Sequence, residues 1–297
     1  MGFEKSLTEY SNAKIVFDEP MKKHTCLRVG GCARYYAEID SLYTLNALIT
    51  LARKYRVKYK VIGNGTNLLF SDLGYDGLVI NTHRLNDVFF KRNEVRAMAG
   101  ATLEKLIRFN LDHRLSGLEA LSGIPATVGG AVVMNAGAFG HNISDYLTTV
   151  ETLIDGKIKV YDKDGCKFNY RSSRFLGKKE VVVSASFAFP DGERDIISAG
   201  IKTYSELRRT IQPHGRSCGS VFKNPKPESA GALIDRAGLK GCRVGGAVVS
   251  LKHGNFILTE QKVKAKDVYI LIQQIKQKVK DAFGVDLVEE VECVGEF

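Results

Sequence analysis

Two segments rich in very small residues limit the folds available to this chain more than any other feature. The longer one reads GIPATVGGA at residues 123–131 and continues as NAGAFG at residues 135–140. Few ordinary cores need so many tiny side chains in one stretch. Their small size lets the backbone approach a flat ligand closely and point its amides at it. A tightly packed structural crossing of the chain is the alternative that these residues leave open.

The first of the two segments in chain order, VIGNGTNLL at residues 61–69, follows a predicted strand and at first suggests a dinucleotide fingerprint. Leu68 stands where that fingerprint needs its third glycine, and no helical pattern follows, which disfavours a nicotinamide-binding Rossmann site. Gly63 and Gly65 instead permit tight turns whose N–H groups can surround a pyrophosphate. A plain turn is the alternative. The two glycine-rich segments together favour a large cofactor with a pyrophosphate and a planar ring.

Hydrophobic periodicity along the chain predicts a mixture of helices and strands, the α+β class. We expect Asp40 to cap a helix over Leu42–Ala52, and Thr102 to open another helix. The sequence Pro-Asp-Gly at 190–192 is a strong turn signal and a candidate domain boundary. The other predicted elements are strands at 59–62, 77–80, 181–189 and 285–294, and helices at 195–209, 229–237 and 265–283, the last ended by Gly284.

The segment GSVFKNP at residues 219–225 brings a hydroxyl, an ammonium and an amide into one short stretch that we predict to be extended. Alternation along a strand would place Ser220, Phe222 and Asn224 on one side and Val221 and Lys223 on the other. Such a polar face suits a small ligand, and a surface strand closed by a turn is the alternative.

Arg171 and the six histidines are further candidates for binding or catalysis. Arg171, in the loop sequence YRSS at 170–173, can bind a carboxylate with two parallel hydrogen bonds, although the loop by itself is ordinary. The six histidines form no His-x-x-x-His or nucleophile–histidine pattern, so we interpret them as structural or peripheral.

Size and charge narrow the class of protein and of ligand. The 297 residues suffice for two or three packed units, and the net charge of +10 indicates an anionic partner. The basic residues are spread along the chain, which suits a polyphosphorylated small molecule better than DNA. No run approaches the ~18 apolar residues of a membrane span, so we expect a cytoplasmic protein. The six cysteines include no Cys-x-x-Cys pair, which argues against a metal or disulfide scaffold.

Taken in chain order, these motifs resemble the UDP-N-acetylenolpyruvoylglucosamine reductases, also called UDP-N-acetylmuramate dehydrogenases. These are flavoenzymes of bacterial peptidoglycan precursor synthesis, and so of cell-wall formation, cell shape and division. The resemblance covers essentially the whole chain. It runs through TCLRVGG at 25–31, both glycine-rich segments, NYR at 169–171, GSVFKNP at 219–225, AGALID at 230–235, GGA at 245–247 and EV at 290–291.

The resemblance implies an FAD-binding fold of the vanillyl-alcohol-oxidase type, made of two α+β subdomains, plus a C-terminal α+β substrate-binding domain. We expect the FAD-binding subdomains at 1–80 and 81–192 and the substrate-binding domain at 193–297. The implied reaction uses FAD, with NADPH as hydride donor, to reduce UDP-N-acetyl-3-O-(1-carboxyvinyl)glucosamine to UDP-N-acetylmuramate. The expected protein is a monomer that binds neither nucleic acid nor a membrane.

Residue roles follow from the resemblance position by position. Ser220 is the proton donor to C2 after the flavin delivers hydride to C3, while Arg171 and Glu290 flank the substrate carboxylate. The short interval between Arg171 and Ser220 is that of the family type without an additional tyrosine-bearing loop. We expect substrate contacts at Tyr170, Arg209, Gln212, Lys223 and Asn224. We expect FAD contacts at Gly63, Asn64, Gly65, Thr66, Asn67, Leu68, Gly123, Ile124, Pro125, Ala126, Thr127, Gly129, Gly130, Asn135 and Gly137.

Two other functions are compatible with the sequence. One is another flavin oxidase or dehydrogenase of the same fold, in which Ser220 would have no catalytic role. The other is a basic nucleic-acid-binding protein, which the absence of a recognised motif and of aromatic residues interleaved with basic ones argues against.

Overall fold

Helices and short strands are mixed along the whole of the described chain. The structure is a computed structural model that describes residues 2–9 and 13–297. Its helices are α1 (Phe3–Thr8), α2 (Leu42–Lys54), α3 (Leu103–Asp112), α4 (Val128–Met134), α5 (Arg194–Ile211), α6 (Ala230–Arg236) and α7 (Ala265–Phe283). Its strands are β1 (Lys14–Pro20), β2 (Cys32–Glu38), β3 (Tyr59–Ile62), β4 (Leu68–Phe70), β5 (Tyr75–Asn81), β6 (Val88–Lys91), β7 (Glu94–Met98), β8 (Gly137–Ala138), β9 (His141–Asn142), β10 (Leu147–Ile154), β11 (Lys157–Asp162), β12 (Val181–Phe187), β13 (Arg243–Val244), β14 (Ala247–Val249), β15 (Ile257–Thr259) and β16 (Glu292–Val294).

The chain divides into two compact units. The first comprises the residues up to Val16, Tyr35–Asn64 and Gly77–Arg208, and the second comprises Phe17–Arg34, Gly65–Asp76 and Arg209–Phe297. Helix α5 therefore belongs almost wholly to the first unit. The three predicted ranges, divided at residues 80 and 192, stay a prediction.

Two sheets supply the framework of the first unit. A four-stranded sheet has the order β1-β2-β5-β3, and the apolar face of α2 shares its core. A five-stranded antiparallel sheet has the order β11-β10-β12-β7-β6. Strand β12, with the sequence VVVSASF, is buried throughout, as expected for a central strand rich in β-branched residues. Helices α3 and α4 pack in the same core as this sheet.

The helix starts follow side-chain capping, with one difference from the prediction. Thr102 caps α3 as predicted, because its side chain accepts a hydrogen bond from the Lys105 N–H. Helix α2 is capped by Ser41 and not by Asp40, since Ser41 accepts from the Thr44 N–H at 3.2 Å. The Asp40 carboxylate instead pairs with Arg84 at 3.1 Å. The prediction of an Asp40 cap was therefore wrong by one residue.

Helix α7 organises the second unit. We predict an apolar stripe of Val268, Leu271, Ile275, Val279 and Ala282, and the first four are buried while Ala282 is exposed. Gly284 ends the helix in the left-handed conformation at φ 68°. Both carboxylate oxygens of Asp72 accept backbone N–H groups at its first turn, each at 2.9 Å. The same unit contains α6, the sheet β13-β14-β15 and the parallel pair β16-β4. No helix within the described residues is long and apolar enough to span a bilayer.

Two predicted strands are mostly irregular. The range 285–294 forms regular pairing only at Glu292–Val294, and residues 219–225 make isolated bridges, Ser220 to Phe256 and Phe222 to Glu289. Gly219 has φ 78°, which interrupts an extended run at its start. The predicted polar face is not formed, because Val221 and Phe222 are both buried while Asn224 is exposed. A strand whose two sides both meet protein has no purely polar face.

Candidate active site

The two glycine-rich segments are in direct contact within the first unit. A Cβ atom added to Gly63 would lie 2.2 Å from the Thr127 Oγ1 atom, so only glycine fits at this position. The Asn64 side-chain amide donates to the carbonyl oxygen of Pro125 at 2.9 Å. Thr127 also caps α4, accepting a hydrogen bond from the Gly130 N–H. Gly63 and Asn64 thus lie directly against Pro125 and Thr127, although the hydrogen-bonded residues are 61 positions apart in the sequence.

The carbonyl groups of the first segment turn inward, which directs its amides the other way. The Ile62 oxygen accepts from the Thr82 N–H at 3.0 Å, and the Gly63 oxygen accepts from the Asn81 side chain at 3.4 Å. Because C=O and N–H point in opposite directions across a trans peptide, the N–H groups of Gly63 and Asn64 face away from these partners. Outward amides at consecutive positions are the arrangement that binds a pyrophosphate.

Gly65 continues the same loop into the second unit. It has φ +60°, and an added Cβ would lie 2.0 Å from the His24 carbonyl oxygen. Its own carbonyl accepts from the Cys26 N–H at 3.3 Å, which directs the Thr66 N–H to the opposite side. Both the backbone conformation and the available space therefore require glycine here.

Buried polar atoms in the second segment fit a bound cofactor. Among the described residues, the Ser122 hydroxyl oxygen and the Asn135 amide oxygen are buried and have no protein hydrogen-bond partner. Buried polar groups are normally paired, so unpaired ones beside a glycine-rich surface indicate that a ligand completes them. Asn135 belongs to the predicted FAD set and ends α4 at φ 46°, whereas Ser122 was not predicted. These atoms suit the hydrogen-bonding groups of FAD.

The loop that carries Arg171 is anchored to the second glycine-rich segment. The Asn135 side chain donates to the Asn169 carbonyl at 3.1 Å, and Ser173 donates to the Val133 carbonyl at 2.7 Å. Arg171 itself donates to the Gly137 carbonyl at 2.7 Å. Its backbone has φ 48°, an uncommon conformation for a non-glycine residue that often marks functional positions. The structure therefore brings Arg171 and its loop next to Asn135 and Gly137 of the predicted FAD set, within the first unit.

Arg208 is a residue of this region that the sequence reasoning missed. Its guanidinium donates to the Ser122 carbonyl at 3.0 Å and lies 5.3 Å from the Phe139 ring, which in turn stacks on Tyr204. Burial lowers the pKa of Arg208. The prediction selected the neighbouring Arg209, and the only signal for Arg208 was the Arg-Arg pair itself. Its contacts fix the backbone just before Gly123.

In the second unit, the segment 219–225 is held between two other parts of the chain. The Val221 N–H donates to the Asn255 carbonyl at 2.9 Å on one side. The Val221 carbonyl accepts from the Glu290 N–H at 2.7 Å on the other. One residue thus ties the backbone next to Ser220 to the backbone of Glu290. The structure brings these two predicted catalytic residues close together in the second unit.

Glu289 directly precedes the predicted catalytic residue Glu290, and its hydrogen-bond partners show its role. The Glu289 carboxylate forms an ion pair with Lys276 at 2.6 Å. Burial raises the pKa of Glu289, but the Lys276 and backbone hydrogen bonds outweigh it, and the pKa is lowered overall. Glu289 is thus bound in its charged form to Lys276 on α7. Glu290 stays the predicted catalytic glutamate.

Cys218 is a core residue. It is buried with Leu27, Leu69 and other apolar side chains of the second unit. Burial raises the pKa of its thiol to about 12, so the group stays protonated and apolar in character. Cys218 therefore has a packing role.

The remaining predicted substrate residues lie in both units. Tyr170 is half exposed beside Arg171 in the first unit. In the second unit, Asn224 accepts from the Ala230 N–H at the start of α6 at 3.1 Å, and the Lys223 N–H donates to the Val288 carbonyl. The Arg209 carbonyl accepts from Lys252 at 2.7 Å, and Gln212 follows the last residue of α5. The structure places them without showing a ligand contact.

Comparisons with known proteins decide the family. Residues 212–294 match the family described as UDP-N-acetylenolpyruvoylglucosamine reductase, C-terminal domain, and residues 33–160 match the FAD binding domain family. UDP-N-acetylenolpyruvoylglucosamine reductase 1 of Bacillus thuringiensis is 40% identical over 293 residues, which cover 97% of each chain. The chain belongs to the UDP-N-acetylenolpyruvoylglucosamine reductase family.

Solved structures agree with this membership. The UDP-N-acetylenolpyruvylglucosamine reductase of Thermus caldophilus matches with a TM-score of 0.81 and 34% identity, covering 95% of this chain and 99% of that one. A protein described as wild-type Phl p 4.0202, a glucose dehydrogenase, matches at a TM-score of 0.51 and 13% identity over 65% of this chain, which shows a shared fold alone. The predicted vanillyl-alcohol-oxidase type of fold is confirmed.

Family membership also defines the general activity. The protein is an FAD-dependent UDP-N-acetylenolpyruvoylglucosamine reductase, an oxidoreductase of peptidoglycan precursor synthesis. Membership supports FAD as the cofactor and NADPH as the reductant. The individual site residues stay predictions.

We expect Gly63→Ala to weaken FAD binding about tenfold or more in this reductase. The added methyl group would overlap Thr127 and force the two glycine-rich segments apart, and overpacking of this kind costs ~1–3 kcal/mol. Fluorescence titration of the apoprotein with FAD measures the change. Gly200→Ala on α5 is the control, because the nearest atom to its added Cβ would be the Glu119 Cγ at 3.3 Å, compared with 2.2 Å at Gly63. Equal FAD affinity in Gly63→Ala and wild type would contradict the placement of this segment.

We expect the free energy of unfolding of this reductase to decrease as the pH falls below 6.5, because of protonation of His253. Burial lowers the pKa of His253 below 6.5, helped by the charge of Lys240, and its Nδ1 atom accepts from the Asn255 N–H. The unfolded chain then binds the proton more readily, so stability is complete above pH 6.5 and declines as the pH falls toward the folded pKa. Urea unfolding at several pH values, compared with His253→Asn, measures it. The variant should lose this part of the pH dependence, and an unchanged profile would contradict the assignment.

Proposed function

We propose that this protein reduces the enolpyruvyl ether of UDP-N-acetylglucosamine to UDP-N-acetylmuramate with NADPH as the hydride source. The observation that carries this proposal is the shared backbone bond of the Ser220 segment, in which the Val221 carbonyl accepts the Glu290 N–H. It holds the backbone of Glu290 next to the residue that follows Ser220, and we propose that the two side chains act on adjacent carbon atoms of one substrate. Arg171, bound to the Gly137 carbonyl, supports the proposal from the FAD-binding segment.

The difficulty of the reaction lies in the charge that develops on the substrate. FAD, when bound, accepts hydride from NADPH and passes it to C3 of the enolpyruvyl group. Addition at C3 leaves the electron pair of the former double bond on C2, where it spreads into the adjacent carboxylate. Arg171 pairs with the carboxylate oxygens through two N–H groups, and Glu290 in its protonated form donates a hydrogen bond to them. Preorganised donors of this kind stabilise the transition state because they need not reorient.

Ser220 completes the reduction. Its hydroxyl gives a proton to C2 and forms the new C–H bond, and the serine oxygen then regains a proton from water. A serine hydroxyl is a weak acid, so the transfer depends on a strongly basic carbon held within hydrogen-bond distance. Tyr170, Arg209, Gln212, Lys223 and Asn224 are proposed to bind the nucleotide sugar.

The charge of the protein agrees with two polyanionic ligands. A net charge of +10 favours both NADPH and the UDP-sugar, which are proposed to bind in turn. We further propose that the enzyme acts as a monomer in the cytoplasm and has no nucleic-acid partner.

An absorbance experiment tests the proposed function. The purified protein, reconstituted with FAD, should show flavin absorbance that NADPH bleaches under anaerobic conditions. Addition of the UDP-enolpyruvyl sugar should restore the colour and produce UDP-N-acetylmuramate. Failure of the sugar to restore the colour after reduction would overturn the assignment of the substrate, and failure of NADPH to bleach it would overturn the assignment of the reductant.

A further inference from the structure

One buried side chain binds both the N–H and the carbonyl group of Phe222, two residues after Ser220. The Asn255 Oδ1 atom accepts from the Phe222 N–H at 2.9 Å, and the Asn255 Nδ2 atom donates to the Phe222 carbonyl at 2.8 Å. The Asn255 main-chain carbonyl accepts from the Val221 N–H at 2.9 Å. Asn255 is 2% exposed, so water does not compete for these bonds. A single residue thus satisfies three backbone groups of two neighbouring residues of the segment.

The bound segment lies between the residues proposed to act on the substrate. Ser220 precedes Val221 and pairs with Phe256, the residue after Asn255. Asn224 follows Phe222 by two positions. The position of Glu290 depends on the same peptide, because its N–H donates to the Val221 carbonyl. A displacement of Val221 and Phe222 would therefore move all three groups.

The segment needs such a support because it lacks regular pairing. It makes only isolated bridges, and Gly219 at its start has φ 78°. A strand in a sheet would gain its register from ladder bonds on both sides. Here the asparagine amide, with one donor and one acceptor, replaces the ladder at Phe222.

From these contacts we propose that Asn255 is a positioning residue for the reduction, which sets the place of the Ser220 hydroxyl relative to Glu290 without touching the substrate. The proposal rests on the proposed catalytic role of Ser220. It assigns no role to Asn255 in the transfer of hydride from NADPH to FAD, because that step uses neither Ser220 nor Glu290.

Asn255→Asp is the substitution that tests this role most directly. Aspartate has the same shape and keeps the acceptor for the Phe222 N–H, but its ionised form cannot donate to the Phe222 carbonyl and places two oxygens face to face. We expect the rate of substrate reduction to fall about 10²-fold, as for small misplacements of catalytic groups. The rate of flavin reduction by NADPH should stay within about twofold of wild type, because that step does not depend on where the Ser220 hydroxyl lies.

The experiment is a double-mutant cycle of Asn255→Asp and Ser220→Ala in the FAD-loaded enzyme. Stopped-flow absorbance follows flavin reduction by NADPH and flavin reoxidation by the UDP-enolpyruvyl sugar separately. If Asn255 acts through Ser220, Asn255→Asp should slow reoxidation strongly in the wild-type background and little in the Ser220→Ala background. The two effects are then not additive.

Controls separate positioning from loss of stability. Val279→Ala removes buried methyl groups from α7 in the same unit and should lower the melting temperature while leaving the reoxidation rate unchanged. Additive effects of Asn255→Asp and Ser220→Ala, or equal slowing of both half-reactions, would overturn the positioning role. A Ser220→Ala variant with a normal reoxidation rate would instead overturn the proposed function. If Asn255→Asp does not fold, Asn255→Ser, which retains a short donor and acceptor, is measured in the same cycle.

Discussion

Ser220→Ala is expected to slow reduction of the UDP-enolpyruvyl sugar roughly 10³-fold, the middle of the range for loss of a general acid. The substitution removes the only atom that we propose to give a proton to C2. Flavin reduction by NADPH should keep its wild-type rate, because that step needs no proton at C2. Anaerobic stopped-flow absorbance measures the two half-reactions in turn.

The surroundings of Ser220 make this variant a clean test. Its neighbours Val221 and Phe222 are held by backbone bonds, so loss of one hydroxyl should leave the segment in place. Ser220→Thr keeps the hydroxyl and should retain more activity than Ser220→Ala. Equal rates of substrate reduction in wild type and Ser220→Ala would favour the alternative of a different proton donor and remove Ser220 from the mechanism.

Arg171→Lys is expected to lower the rate of substrate reduction about 10²- to 10³-fold, as for removal of one donor that stabilises developing charge. Lysine keeps the positive charge but cannot hold a carboxylate with two parallel N–H groups. It also loses the guanidinium bond to the Gly137 carbonyl, which orients the side chain. Steady-state kinetics at saturating NADPH, with flavin reduction measured separately, would show the loss in kcat for the sugar.

The control for this variant is Arg174→Lys, three positions further along the same loop. Arg174 lies 4.0 Å over the Tyr161 ring and contacts Glu180, so it serves the fold and has no proposed contact with substrate. We expect Arg174→Lys to lower the melting temperature and leave kcat near wild type. If both arginine variants lose stability and activity in parallel, Arg171 is a structural residue and the mechanism lacks its carboxylate partner.

Helices and their ends could be predicted well wherever the information was local. Thr102 caps α3 and Gly284 ends α7 because a hydroxyl accepts the nearby N–H and because glycine tolerates positive φ. The error at Asp40 has a tertiary cause, since that carboxylate pairs with Arg84, 44 residues away. Two adjacent residues able to cap a helix cannot be ranked without knowing which one has a distant partner.

The candidate site was only partly predictable, again for reasons of distance along the chain. The glycine-rich segments were recognised from composition, but their contact at Gly63 and Thr127 requires a fold. Arg208 and Asn255 were missed because each acts through backbone carbonyls and amides remote in sequence, and no local motif records such a bond. His253 agrees with its interpretation as structural or peripheral, and only the fold shows its partner, the N–H of Asn255.

Residue types and their order were enough to identify the family, the flavin cofactor and the hydroxyl, guanidinium and carboxyl groups suited to the chemistry, because these depend on which atoms are present. The folded chain alone could show that Glu289 is bound to Lys276, that Cys218 is a core thiol, and that Asn255 supports the Ser220 segment. Those assignments depend on burial and on hydrogen bonds between distant segments. Such contacts exist only after the chain has closed its long loops, so no stretch of sequence contains them.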